Sequence, residues 1–157
     1  LFKQYLTAEQ AFQKGKHFCS YQERCHAEVK EKLYAFGLNK QDVELLLSRL
    51  IEEDYLNEER FAQQFAGGKF RTKQWGRVKI KYELKQKKIS DFIIKKAFKE
   101  IDDLDYTTTL KKLTTTKWNS LKNEQYINRQ AKTTNYLLQK GFELNLIKEA
   151  IINIQSK

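Results

Sequence analysis

Four side chains that can ligate zinc, His17, Cys19, Cys25 and His26, fall within ten residues of this 157-residue chain and are its whole complement of histidine and cysteine. Zinc sites draw on these ligand types. Their spacing is that of no known zinc site, however, and neighbours such as Cys25 and His26 point apart on a helix. The cysteines therefore read as small buried apolar residues, and no metal is expected. Two carboxylate clusters, Glu52-Glu53-Asp54 and Asp102-Asp103-Asp105, have the composition of a metal-dependent nuclease site. Each lies where a helix is about to begin, and acidic residues there answer the helix dipole. There is no glycine-rich phosphate loop, no nucleophile motif and no histidine near the basic segment. The expectation is a protein without catalysis or cofactor.

The third constellation is basic and aromatic. Between Asp54 and Ile89 an acidic opening gives way to Lys69, Arg71, Lys73, Arg77, Lys79, Lys81, Lys85, Lys87 and Lys88, with Phe70, Trp75 and Tyr82 among them. Residues 69–99 hold twelve Lys and Arg against Glu83 and Asp91, a local excess of +10 that equals the net charge of the whole chain. On a helix Arg77, Lys81 and Lys85 form a row at four-residue spacing, where like charges repel. A solvated lysine-rich face is the bland reading. The local imbalance favours a polyanion instead, nucleic acid above an acidic membrane surface. Lys69, Arg71, Lys73, Trp75, Arg77, Lys79, Lys81, Lys85, Lys87 and Lys88 are the candidate contacts. Trp75 or Phe70 at helical spacing reads first as core, with base stacking the alternative. Nothing resembles a base-reading motif. Arg60, three residues into a helix that the dipole makes unfavourable for a cation, calls for a carboxylate such as Glu53 or Asp54, and Phe61 and Phe65 read as core.

The elements that position these residues are helices. Proline is absent and glycine occurs only six times, so little interrupts a helix or builds the turns of a sheet. Hydrophobic content of 40% with 32% charged residues describes a folded protein with an ionic surface. No apolar run is long enough to span a membrane. The first twenty residues lack the pattern of a signal peptide, and two cysteines make no disulfide framework, so a reducing cytoplasm is expected. The chain opens on Leu1 rather than Met, as a sequence lacking an N-terminal piece would.

A self-similarity of about fifty residues organises the whole, as in helical repeats. With Gly37, Lys88 and Gly141 taken as equivalent, Leu33, Leu84 and Leu137 align four residues before and Leu38, Ile89 and Phe142 one after. Val43, Ile94 and Ile147 follow, then Leu47, Phe98 and Ile151, then Leu50, Ile101 and Ile154, a spacing that marks one helix face. Upstream, Leu6-Thr7, Leu56-Asn57 and Leu104-Asp105 each put a leucine before a residue suited to an N-cap. Thr7 with Gln10, and Ser20 with Glu23, fit capping boxes. The prediction is all-α: about nine helices in three three-helix repeats, about 1–51, 52–102 and 103–157, stacked into an elongated, curved array. Such an array buries its core without a partner, so a monomer is expected. Threonines at 107–109 and 114–116 weaken the seventh helix but leave an apolar rhythm through Leu104, Leu110, Leu113, Trp118 and Leu121. Gly67-Gly68 either breaks the fourth helix or admits a close approach.

The run Tyr55-Leu56-Asn57-Glu58-Glu59-Arg60-Phe61-Ala62, with Phe65, the basic Lys69–Lys73 segment, Trp75-Gly76-Arg77, Ile80, Glu83-Leu84 and Lys88-Ile89, resembles the central signature of the RecX family, small regulators of the bacterial RecA recombinase. Ser20-Tyr21-Gln22-Glu23-Arg24-Cys25 with Val29, Lys32-Leu33 and Gly37-Leu38 resembles the family's first repeat. The chain departs from a common version at Gly67-Gly68 and at Trp75. The resemblance implies a right-handed array of three-helix repeats. It also implies binding in the groove of the RecA filament on single-stranded DNA, with strand exchange and ATP hydrolysis blocked. That role would place the chain in homologous recombination, DNA repair and the SOS response. Family members also bind DNA themselves, so the resemblance implies single-stranded DNA as a partner, with double-stranded DNA as a further one.

Overall fold

In a computed structural model that describes residues 5–156, the chain forms nine α-helices, one short 3-10 turn and, among the described residues, no strand. The helices are α1 (Ala8–Tyr21), α2 (His26–Ala35), α3 (Lys40–Glu52), α4 (Glu58–Lys73), α5 (Arg77–Gln86), α6 (Asp91–Ala97), α7 (Asp103–Ser120), α8 (Tyr126–Lys140) and α9 (Leu144–Gln155). They form three successive trios of the expected kind.

Side-chain caps start the first helix of each trio. Thr7 and Gln10 make the expected box: the Gln10 N–H donates to Thr7 Oγ1 at 3.2 Å, and the Thr7 N–H donates to Gln10 Oε1 at 3.0 Å. Asn57 accepts from the Arg60 N–H at 3.0 Å. In the third trio the cap is Asp102, which accepts from the Asp105 N–H at 3.0 Å. The helix thus starts earlier than the Leu104-Asp105 pairing suggests, and Leu104 is turned outward, 74% exposed. Ser20 and Glu23 form no box. Ser20 lies inside the last turn of α1, where its hydroxyl donates to the Lys16 carbonyl at 2.8 Å, and α2 begins only at His26, after Cys25.

The second helix of each trio ends alike. Gly37, Lys88 and Gly141 all have left-handed backbone, with φ of 87°, 63° and 95°. The Ile89 N–H reaches back to the Leu84 carbonyl and the Phe142 N–H to the Leu137 carbonyl, each at 3.1 Å, which satisfies otherwise orphaned carbonyls. Leu33, Leu84 and Leu137, one turn earlier, are fully buried, as are Val43 and Ile147 after the turn. The sixth helix is short, and the chain passes through a 3-10 turn at Phe98–Glu100, leaving Phe98 half-buried before Ile101 returns to the interior. The threonine-rich helix α7 is continuous. Thr107 and Thr114 bond back to the carbonyls of Asp103 and Leu110, so their hydroxyls are satisfied.

Two compact units result: Leu1–Gln64 with Leu84–Ile94, and Phe65–Glu83 with Lys95–Lys157. In the first, α1, α2 and α3 each pack on the other two around Phe12, Val29, Leu33, Val43 and Leu50. In the second, α7, α8 and α9 do the same, and Tyr106 is stacked between Phe70 and Phe142 at ring separations of 5.8 and 5.2 Å.

Glycine is required where α5 starts. The Gly76 N–H donates to the Lys140 carbonyl at 2.8 Å and the Val78 N–H to the Gly141 carbonyl at 2.9 Å. A Cβ on Gly76 would collide with the Gly141 backbone, and one on Gly141 with Lys79. The Gly67-Gly68 pair behaves differently: α4 runs unbroken through it, the Arg71 guanidinium lies over Gly67, and nothing is within contact distance of a Cβ on Gly68. Urea unfolding is therefore expected to show Gly76→Ala and Gly141→Ala destabilised by more than about 2 kcal/mol. Gly68→Ala is expected to be stabilised by roughly 0.5–1 kcal/mol.

Candidate polyanion interface

Seven of the ten candidate contact residues, Lys69 to Lys81, belong to the second compact unit and three, Lys85, Lys87 and Lys88, to the first. In the second unit the chain leaves α4 through Gln74, whose left-handed backbone (φ 56°) turns it sharply into α5. That turn folds Trp75 back, so that the Lys79 ammonium is 4.5 Å and the Lys69 ammonium 5.1 Å from its ring centroid, with the Phe65 ring edge-on at 6.3 Å. Trp75 stays half-buried; Phe70 is core, against Tyr106. Arg71, Lys73 and Lys81 are exposed. Lys140, not foreseen from the sequence, joins the group by donating from Nζ to the Lys73 carbonyl at 3.1 Å. Its position at a helix end beside Gly141 was the only signal in the sequence.

Arg77 is placed differently from its neighbours. Its guanidinium lies 3.9 Å from the centroid of the Tyr106 ring and bridges Asp103 at 2.6 Å and Glu143 at 3.4 Å. The Arg77 backbone N–H donates to the Tyr106 hydroxyl at 3.0 Å, and that hydroxyl donates in a short bond to Glu143. Burial, then the bond to Glu143, pushes the Tyr106 phenol far above its ordinary range. The charge of Arg77 is thus spent inside the unit.

In the first unit Lys85 pairs with Asp91 at 2.8 Å, while Lys87 and Lys88 border a cleft with His26, Lys30, Tyr34 and Glu58. Arg60 does bind Asp54, at 3.1 Å, whereas Glu53 sits by Arg49. Its stronger partner is Glu23, at 2.5 Å, and that bond raises the Arg60 pKa further. Phe61 is buried and Phe65 half-buried.

The other constellations serve the scaffold. Asp102 caps α7, Asp103 holds Arg77, and Asp54 holds Arg60. His17 is exposed, His26 faces Glu58 at 3.4 Å, and among the described residues no group of three or more potential ligands is arranged to hold a metal. Burial pushes the Cys19 and Cys25 thiols up to about 11. No helix of the described residues is long and apolar enough to cross a membrane.

Family comparisons follow this geometry. The family model of the second three-helix domain of RecX matches residues 57–97, beginning on the Asn57 cap, and that of the third three-helix domain matches residues 104–151. A regulatory protein RecX of Prosthecochloris aestuarii is 30% identical over 131 residues, which are 82% of this chain and 83% of that protein. The chain belongs to the RecX family. A second RecX, from Chlorobium limicola, is 28% identical over 81% of this chain and 78% of its own length. Other RecX proteins are longer: the matched part is 50% of that of Streptococcus uberis. The crystal structure of RecX from Lactobacillus salivarius superposes with a TM-score of 0.87 at 25% identity, covering 96% of this chain and 97% of that one.

Two outcomes separate scaffold from surface. Arg77→Glu is expected to lower unfolding stability by about 1–3 kcal/mol, since it leaves Asp103 and Glu143 facing a third carboxylate. Lys73→Glu with Lys81→Glu is expected to change it by less than about 0.5 kcal/mol. The thiols are expected to resist a disulfide reagent in the folded protein at pH 8 and to react on unfolding. Because their folded pKa lies above the unfolded value near 9, the stability they contribute is complete below pH 9 and is lost as pH rises toward 11.

Proposed function

We propose that this RecX-family chain is a non-enzymatic cytoplasmic regulator that binds the RecA filament on single-stranded DNA and inhibits its ATP hydrolysis and strand exchange. Through that inhibition it acts in homologous recombination, DNA repair and the SOS response. In this reading the three trios, about 1–51, 52–102 and 103–157, are the repeats of the family, and one copy suffices to bind. The observation that carries the proposal is the confinement of the whole net charge to residues 69–99 in a chain of this family. Lys69, Arg71, Lys73, Lys79, Lys81 and Lys140 supply the electrostatic contact, with Lys85, Lys87 and Lys88 adding to it. Trp75, flanked by two ammonium groups, offers an edge to a single strand. Arg77 acts by holding α5 in place.

The experiment adds the protein to RecA preassembled on single-stranded DNA and follows ATP hydrolysis. Inhibition is expected well below one protein per DNA site. An effect absent altogether, or abolished by excess bare DNA, would leave a stand-alone, sequence-nonspecific DNA-binding protein as the better reading. Lys73→Glu with Lys81→Glu is expected to weaken DNA binding and to flatten its log–log salt slope by roughly 0.7 per lost phosphate contact.

A further inference from the structure

The second helices of the first two trios start on a recurring contact. His26 opens α2 and Glu58 opens α4, while Arg77 opens α5 and Asp103 opens α7. In the first compact unit His26 Nδ1 lies 3.4 Å from Glu58, and in the second unit Arg77 Nη2 lies 2.6 Å from Asp103. A basic residue at the start of one trio's second helix thus meets an acid at the start of the next trio's first helix. His26 and Arg77 both stand eleven residues before the left-handed positions Gly37 and Lys88. The same count back from Gly141 falls on Gln130.

Gln130 lies in an open groove of about 500 Å³ on α8 and α9, lined also by Ile127, Ala131, Lys148 and Ile152. Ile127 is 70% and Ile152 61% exposed. By the same count Ile127 corresponds to Glu23, which in the first unit holds Arg60. The complementary half of such a contact stands at the start of α1. Tyr5-Leu6-Thr7 parallels Tyr55-Leu56-Asn57, Ala8 takes the place of Glu58, and Gln10 that of Arg60. Tyr5 is 76% exposed, whereas Tyr55 is packed on the core. Each charged partner of the inner contacts is therefore replaced on both faces: Gln130 and Ile127 on one, Ala8 and Gln10 on the other. Lys148 is the charged residue in the lining of the groove, and Glu9 beside Ala8 is paired with Arg49 at 3.5 Å.

We propose that the α8–α9 groove of one copy receives the start of α1 of a second copy, a head-to-tail contact built like the inner ones but apolar. Such a contact does not close on itself and adds copies in a row. Its small area makes it weak in dilute solution, and copies placed side by side on one polyanion would meet at high effective concentration.

Sedimentation equilibrium of the whole chain without nucleic acid tests this independently of the filament reading. The samples are the native protein, Ala8→Glu, Gln130→Lys, an equimolar mixture of those two, and Ile127→Glu with Ile152→Glu. All four positions are exposed, and circular dichroism checks that the variants fold. The mixture rebuilds the acid–base pair in trans and is expected to associate roughly two- to fivefold more tightly than either component, a gain lost in high salt. The double glutamate variant is expected to remain monomeric. A mixture no tighter than its components, association that survives the double substitution, or no association in any sample at about 1 mM would overturn the proposal.

Discussion

The Arg77 guanidinium lies over the Tyr106 ring and bonds carboxylates from the starts of α7 and α9, residues distant in sequence. That contact ties α5 to α7 and α9 within the second compact unit. It fixes the first turn of α5 against the α8–α9 turn, where Gly76 and Gly141 pass too closely for any side chain. Tyr106 is buried between two aromatic rings, and its hydroxyl must find a partner there; the Arg77 backbone and Glu143 provide it. His26 and Glu58 make the lighter version in the first unit. In the first unit Glu58 also accepts from the His26 N–H at 3.2 Å, whereas in the second the first N–H of α5 goes to the Tyr106 hydroxyl.

Much of this was legible in the sequence, because the information was local. Gly37, Lys88 and Gly141 were aligned by the leucines around them, and all three adopt the left-handed turn, even where the residue is lysine. Thr7 and Asn57 cap as their letters suggest. The failures have a common cause. Ser20 and Glu23 have the letters of a capping box, but the serine is satisfied within its own helix and the glutamate is drawn off by Arg60, 37 residues away. Asp102, Asp103 and Asp105 offered several helix starts, and only the partnership of Asp103 with Arg77 distinguishes their roles.

The basic segment divided on the same principle. A charge count treats Arg77 like Lys81, since a one-dimensional pattern holds no record of carboxylates that arrive from α7 and α9. Geometry removes Arg77 from the exposed charge and ties Lys85 to Asp91. It adds Lys140 beside Lys73. What is left around the α4–α5 turn is a compact set of ammonium groups about a half-buried tryptophan, more than the local acids can neutralise. Such a surface costs stability through self-repulsion, and the polyanion proposed above would relieve it.

The most direct measurement of that claim is lysine footprinting, by brief acetylation and mass spectrometry, of the protein alone and on RecA assembled on single-stranded DNA. The account predicts protection of Lys69, Lys73, Lys79, Lys81 and Lys140 on the filament, with Lys112 and Lys122 of the third trio unchanged. Protection confined to lysines outside residues 69–99 and Lys140, or none at all, would contradict it.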